Sequence, residues 1–371
     1  MMKSLMSKIP GMKNITHLPT PYTISYWWNL GSLLGTLMGI QIMTGLLLVM
    51  YFSTSEAEAF NSIVTLMREV KFGFLLRFMH LNGASFMFLI MYMHMLKGLM
   101  YSSFMLPGSW LTGNIILLLT ILVAFMGYVI PWGNMSFWAA TVITSFMSAI
   151  PILGESILYW IWGGYSITGR TLQFFFTLHY LMPFMISAIA LIHLLLLHKK
   201  GSSNPMGAHS HMLKTKFHPF FTNKDMMNLT ILMIMGWLSI SHPYWSSDPE
   251  NFSYADRLSS PINIQPEWYF LPMYGFLRGS DSKLGGLILM ITSILMFSIL
   301  PWWILQDLNH FKLWDMLLLA LLITTMTMGW VASWSADAYY STWLLYLIPT
   351  YFMWFMMTWM MAMINHTLFN D

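Results

Sequence analysis

Eight apolar runs, each of about twenty residues, recur along this chain at roughly 28–51, 75–101, 111–131, 172–198, 227–245, 285–305, 313–333 and 343–365. A helix of that length crosses roughly 30 Å of hydrocarbon. Inside hydrocarbon the backbone must satisfy its own N–H and C=O groups, which leaves helices or closed barrels, and runs this long fit helices. Only 8% of the 371 residues are charged, against roughly 25% in soluble domains. The expected fold is an all-α membrane protein with eight transmembrane helices. Residues 1–22 are polar and proline-broken, without the apolar centre of a leader, so no cleavable signal is expected.

Eight spans put both termini on one side. That side, here called the N-side, collects Lys3, Lys8, Lys13, Lys97, Lys199, Lys200, Lys214, Lys216, Lys224 and Lys312 against Asp225, Asp307, Asp315 and Asp371. The positive-inside tendency assigns it to the cytoplasm- or matrix-like face, and the opposite P-side holds most of the acids. Two P-side connections are long. Residues 132–170 are too apolar for a solvated loop and should form short interfacial helices. Residues 246–284 carry "PEWYF" and a short helix before Arg278. There are no cysteines, so disulfides, thiolate metal sites and iron–sulfur ligation within the chain are excluded. No concentrated basic stripe marks a nucleic-acid surface.

Within the second span stand His80 and His94, and within the fourth His179 and His193, each pair fourteen residues apart. On an α-helix that interval rises about 21 Å and returns to nearly the same direction. Both spans run from P-side to N-side, so His80 comes level with His179 and His94 with His193. Zinc would commonly want four ligands, and no carboxylate or thiol lies nearby on these helices. Haem iron accepts two trans imidazoles and leaves room for a wide apolar macrocycle, an arrangement suited to electron transfer. Two b-type haems are therefore expected, held without covalent attachment because no C-x-x-C-H is present. Gly31 and Gly45 on the first span, and Gly113 and Gly127 on the third, repeat the same interval and give the macrocycle edges room. Arg77 and Lys97 lie three residues outward of His80 and His94, placed to meet haem propionates. A transporter with a histidine proton relay is the alternative; it has no need of the matched glycines.

The motifs "RFMHLNGASFMF", "FMGYVIPWGNMSFW", "SAIP", "WIWGG", "FHPFFTNKD" and "PEWYF" together resemble the mitochondrial cytochrome b family, the membrane core of ubiquinol–cytochrome c oxidoreductase. The resemblance implies a bundle of the first four spans around two haems, in residues 1–225, and a C-terminal region, 226–371, with four spans and the PEWY loop. It implies that His80 and His179 bind the P-side, low-potential haem iron, and His94 and His193 the N-side one. Ubiquinol would be oxidised in a P-side pocket of Phe125, Met126, Tyr128, Pro131 and Gly133 against Glu267 and Tyr269, with Glu267 the proton acceptor. One electron would go to an iron–sulfur protein and the other through the haems to quinone on the N-side. There His198, Asp225, Ser202, Lys224 and Asn29 would contact the quinone, with Tyr128, Glu267, His198 and Asp225 the groups closest to the chemistry.

The resemblance further implies a cytochrome c-type subunit, other complex subunits and lipid as partners, a dimeric complex, and a mitochondrial inner-membrane location with both termini in the matrix. Read from position alone, His198 is an interfacial histidine before Lys199 and Lys200, Glu267 a helix-start acid and Asp225 an N-cap-region acid. Four positions depart from the family pattern. Phe174 and Lys97 stand where arginine is usual, Asn134 where glutamine is usual, and Pro272 enters the segment after PEWY. Lys97 keeps the charge without the bidentate fork.

Overall fold

The computed structural model describes residues 16–206, 212–304, 312–335 and 337–369, without the side chains of 365–369. Lys3, Lys8, Lys13, Asp307 and Asp371, used above to sort the charges, lie outside the described residues.

A short 3-10 turn, Tyr26–Asn29, leads into α1 (Leu30–Val49). After α2 (Ala59–Glu69) the chain turns sharply into α3 (Gly73–Met100). A Cβ at Gly73 would collide with the Leu66 carbonyl, so this corner requires glycine. Helix α4 (Pro107–Val129) opens with proline in its first turn, where a missing N–H costs nothing. The apolar P-side connection folds as α5 (Asn134–Ser145) and α6 (Gly154–Trp162), in line with the short helices expected there. Helix α7 (Gly169–Lys200) starts with a capping box from Thr168 and Thr171. Pro183 within it has no N–H to offer the His179 carbonyl four residues earlier.

The C-terminal region continues through α8 (Phe217–Asp225), α9 (Met227–Ser241), α10 (Leu271–Arg278), α11 (Lys283–Trp303), α12 (Lys312–Ala332) and α13 (Ala338–Phe369). Among the described residues seven helices are long and apolar enough to cross a membrane, the first counted from Tyr26. The expected span at 227–245 is the difference. Its helix α9 has fifteen residues, about 22 Å at the usual rise. It stops at Ser241 because His242 precedes Pro243 and is steered out of the α region, at φ −131° and ψ 63°. Sequence hydropathy also missed α2, which is amphipathic and lies between the first two spans.

Packing sorts the first four long helices into two pairs. α1 lies along α3 and α4 along α7, while contact between the pairs is confined to a few places, chiefly α1 with α7. The C-terminal helices build their own apolar centre from Phe276, Leu300, Trp314, Leu318, Met328, Tyr351 and Phe355, joined to α3 and α4 through Leu99, Phe104 and Trp110. Trp314 Nε1 donates to the Leu99 carbonyl at 3.1 Å and Trp110 Nε1 to the Phe297 carbonyl at 2.7 Å, so the seam is keyed by buried hydrogen bonds. Two short strands, β1 (Pro19–Pro21) and β2 (Lys214–Lys216), pair antiparallel and bring the N-terminal segment to the lysine-bearing connection after α7.

Candidate functional site

Between the two helix pairs the four intramembrane histidines meet as their spacing predicts. His80 of α3 faces His179 of α7 with ring centroids 6.2 Å apart, and His94 faces His193 at 6.5 Å. An imidazole nitrogen binds a transition metal at about 2 Å, so two rings in trans across one ion put their centroids roughly 6 Å apart. Both pairs fit that separation. Among the described residues no three His, Asp or Glu side chains gather as a metal site, so each pair offers two ligands.

The hydrogen bonds of the rings decide which nitrogen is free. His179 Nδ1 lies 2.8 Å from the Val123 carbonyl, which can only accept; Nδ1 therefore carries the proton and Nε2 the lone pair. His80 Nδ1 lies 2.9 Å from Thr44 Oγ1, whose own proton is directed to the Ile40 and Gln41 carbonyls, so the ring donates here too. His193 repeats this with Thr112, 3.0 Å away, whose hydroxyl bonds to the Gly108 and Ser109 carbonyls. His94 Nδ1 is buried without a hydrogen-bond partner. Three of the four rings thus present Nε2 in the tautomer a metal requires. The sequence held a signal for the two threonines that went unread: each immediately precedes a haem-interval glycine, Gly45 or Gly113.

The four evenly spaced glycines stand against the histidine rings. A Cβ at Gly45 would stand 3.1 Å from His80 Cε1, at Gly113 3.4 Å from His193 Cε1 and at Gly31 3.6 Å from His94 Cε1. At Gly127 it would stand 2.8 Å from His179 Nδ1. Each glycine therefore backs one histidine ring, and the pair it backs is the one its level in the membrane implies. Nothing lies within 4 Å of a Cβ at Gly35 or Gly39.

Arg77 and Lys97 have no carboxylate within ion-pair distance; Arg257–Glu56 is the one such pair among the described residues. The Lys97 ammonium lies 4.6 Å from the centre of the Trp28 ring, a cation–π contact that offsets part of its desolvation. Trp28 Nε1 and Ser109 Oγ, both toward the same end of the bundle, are buried without partners. A buried Lys97, a half-buried Arg77 and orphaned donors near the histidines fit the acidic arms of a haem.

At the other end, a cavity of about 300 Å³ is lined by His80, His179, Arg77, Tyr128, Pro131, Glu267 and Tyr269 among others. Burial and the like charge of Asp248 push the Glu267 carboxyl up to about 8, with Arg77 opposing. Burial likewise raises the Tyr269 phenol well above its ordinary range. Tyr128 accepts from Asn251 Nδ2 at 2.7 Å, leaving its own proton to donate. Three of the expected pocket residues do not line this cavity. Phe125 packs against Phe175 at 5.7 Å and Met126 is buried in the apolar cluster around Trp132 and Phe137. Gly133 is buried at the start of α5, bridged to Tyr254. Helical periodicity explains this, because the face of α4 that carries Gly127 and Tyr128 toward the cavity turns its neighbours away.

The PEWYF segment is held to α3 by three residues on one face. Trp268 Nε1 donates to Ser85 Oγ at 3.3 Å, Tyr269 stacks on Phe88 at 4.2 Å and 5°, and Tyr92 donates to the Tyr269 carbonyl at 2.7 Å. Pro272 is accommodated in the first turn of α10 and packs toward Gly329 of α12. Asn134 bonds the loop at Asp256 N and the Ser259 carbonyl, at 2.9 and 3.2 Å. Phe174 lies 5.1 Å from Trp160, edge to face, and 6.2 Å from Phe175, so its surroundings are aromatic.

The opposite face gathers Asn29, Lys224 and Asp225. Asn29 Nδ2 donates to the Lys224 carbonyl at 2.8 Å, and Lys224 Nζ to the Ile24 carbonyl. Ser32 Oγ donates to Asp225 Oδ1 at 2.7 Å; partial burial raises that carboxyl and the hydroxyl bond opposes the rise. His198 is exposed in the last turn of α7 and Ser202 follows just beyond it; no hydrogen bond among the described residues ties either to Asp225. Sequence reasoning missed Ser32 and Asn228, polar residues that read as part of apolar runs.

The family pattern described as Cytochrome b/b6/petB matches residues 15–201, and that described as Cytochrome b(C-terminal)/b6/petD matches residues 254–363. Among solved structures the chain is similar to one of a "Hyperthermophilic respiratory Complex III", at 27% identity and a TM-score of 0.90, over 99% of this chain and 100% of that one. With both patterns matched and the histidine ladder in register, the chain belongs to the cytochrome b/b6 family.

Proposed function

We propose that this chain is the redox core of a respiratory quinol–cytochrome c oxidoreductase, oxidising ubiquinol on its P-side and reducing quinone on its N-side. The observation that carries the reading is the pair of His–His couples at trans-ligand separation, each histidine backed by a glycine. His80 with His179 and His94 with His193 would hold two b-type haems, with Arg77 and Lys97 toward their acidic arms. Haem bound there supplies a one-electron relay between the two membrane faces.

The chain's own residues handle protons and position. Glu267, beside Tyr128, Pro131 and Tyr269, takes a proton from quinol; its raised carboxyl is matched to a base that works near neutral pH. Tyr128, with its oxygen already accepting from Asn251, donates a hydrogen bond into the cavity. On the N-side Asp225 holds protons for quinone reduction, with Asn29 and Lys224 shaping its surroundings and His198 and Ser202 approaching from the end of α7. The complex III likeness supports assembly with an iron–sulfur protein and a cytochrome c-type subunit, in a dimeric complex. The lysine-bearing connection after α7 supports placing the N-side in the mitochondrial matrix, with the chain in the inner membrane.

A redox titration of the purified complex, followed in the visible, tests the reading. Two b-type components at distinct potentials are expected from this chain. A single component refutes the paired sites, and no b-type absorbance at all leaves the histidines to a proton-relay transporter.

A further inference from the structure

One buried amide near the N-side carboxylate has no part in the roles above. Asn228, 5% exposed in the first turn of α9, donates from Nδ2 to Ser32 Oγ at 2.9 Å. Its Oδ1 is buried and has no hydrogen-bond partner. The Ser32 hydroxyl has one proton and two acceptors in reach, the Asn29 carbonyl of its own chain turn at 2.9 Å and Asp225 Oδ1 at 2.7 Å. Lys224, the neighbouring cation, is directed away to the Ile24 carbonyl and over the Tyr26 ring at 4.8 Å. What decides where the Ser32 proton points is therefore the group arriving at its oxygen.

We propose that Asn228 is a positioning residue for Asp225: a relay Asn228–Ser32–Asp225 in which the amide turns over as the carboxyl gains or loses its proton. The inference rests on the N-side role given to Asp225 above. An ionised carboxylate only accepts, so Ser32 donates to Asp225 and accepts from Asn228 Nδ2, the arrangement observed. A protonated Asp225 donates its own O–H to Ser32 Oγ. The Ser32 proton then leaves Asp225 for one of two acceptors, the Asn29 carbonyl or, after a half-turn of the amide, the otherwise unpaired Asn228 Oδ1, and pairing that buried oxygen favours the turn. In each state one end of the amide engages Ser32 and the other end has no partner, so the turn breaks no third bond. No proton passes through Asn228; the relay keeps the carboxyl in one place in both of its states. Without the amide, the Ser32 oxygen loses its donor in the ionised state, and in the protonated state only the Asn29 carbonyl is left to take the Ser32 proton, so Asp225 is held less closely.

The test uses the whole complex in its membrane, with Asn228→Leu, Asn228→Ser and Asp225→Ala. Redox-induced infrared difference spectra identify the Asp225 carboxyl band as the one lost in Asp225→Ala. Asn228→Leu, close in shape but without donor or acceptor, should shift that band and raise KM for quinone at the N-side about fivefold, as loss of one hydrogen bond implies. Quinol oxidation on the P-side and both b-haem spectra should be unchanged. Asn228→Ser, which keeps a hydroxyl, should restore most of the band position and KM. Should Asn228→Leu fail to assemble, Ser32→Ala cuts the same relay from an exposed side chain and should give the same shift. A wild-type band and KM in Asn228→Leu, with N-side re-oxidation blocked in Asp225→Ala, overturns the relay and leaves the role of Asp225 standing. Normal re-oxidation in Asp225→Ala overturns both.

Discussion

Replacing Gly127 by alanine should dislodge His179, while the same change at Gly31 should leave His94 in place. The added methyl at Gly127 would stand 2.8 Å from His179 Nδ1 and 3.2 Å from Nε2, and nearer still to Cε1. Comfortable contacts of this kind begin at about 3.5 Å, so the ring must retreat by roughly 0.7 Å or more. It cannot do so freely, because Nδ1 is held 2.8 Å from the Val123 carbonyl, and that bond is stretched out of range by such a shift. Overpacking costs about 1–3 kcal/mol and the lost bond about 1 kcal/mol, against about 1 kcal/mol gained from the helix propensity of alanine. The net, about 1–3 kcal/mol, is a 5- to 150-fold loss of haem affinity, to order of magnitude, at the P-side site. At Gly31 the nearest atom is His94 Cε1 at 3.6 Å, an ordinary contact, and Gly35 and Gly39 have open space. Haem content and reduced-minus-oxidised spectra of the purified variants should grade in the order Gly127, Gly45, Gly113, Gly31. A Gly127→Ala protein with its full haem complement and unchanged P-side spectrum would refute the reasoning, as would equal damage at Gly31.

Three further outcomes follow from the same geometry. With its carboxyl pushed up to about 8, Glu267 is mostly protonated at neutral pH, so quinol oxidation should rise as pH climbs through that value and the base ionises. Glu267→Gln should slow quinol oxidation and remove this limb of the pH–rate profile with both haems assembled; an unchanged profile would sink the assignment. His94→Leu should abolish the N-side b signal and spare the P-side one, since the two levels are about 21 Å apart, and loss of both signals from a folded protein would contradict separate sites. Thr44→Val should loosen the P-side haem and Thr112→Val the N-side one, each by about 10-fold or more, since each removes the acceptor that orients a ligand histidine. Transfer of haem to a scavenger protein measures this, and equal rates in all three proteins would refute it.

Much of this was legible before any coordinate. The intervals between His80 and His94 and between His179 and His193 fix both levels and both partners, because fourteen residues is nearly a whole number of helical turns and hydrocarbon enforces the helix. The seven long helices follow hydropathy for the same reason. What hydropathy cannot see is an ending imposed by one residue, as where Pro243 cuts α9 short, or an amphipathic helix such as α2 whose apolar face is offset by a polar one. Beside Glu267 a continuous motif does not make a continuous wall, because a helix turns successive residues apart: Tyr128 faces the cavity while Phe125 and Met126 are turned into packing. Ser32 and Asn228 are polar residues inside apolar runs and give no sign of what they will bond to until a second helix is beside them, whereas Thr44 and Thr112 are marked in the sequence by the glycine each precedes.

The attachment of the PEWYF segment to Ser85, Phe88 and Tyr92 has a genetic consequence. These positions share a helix with His80 and His94, so the loop carrying Glu267 and the helix carrying two of the four paired histidines are inherited, in effect, as one unit. A lesion that displaces the loop, such as a change at Trp268, should find second-site revertants on α3 at positions 85, 88 and 92, which touch Trp268 and Tyr269 directly. Divergent relatives should then exchange residues at these three sites in step with the loop, and a chimera that takes its loop from one lineage and α3 from another should be the combination that fails.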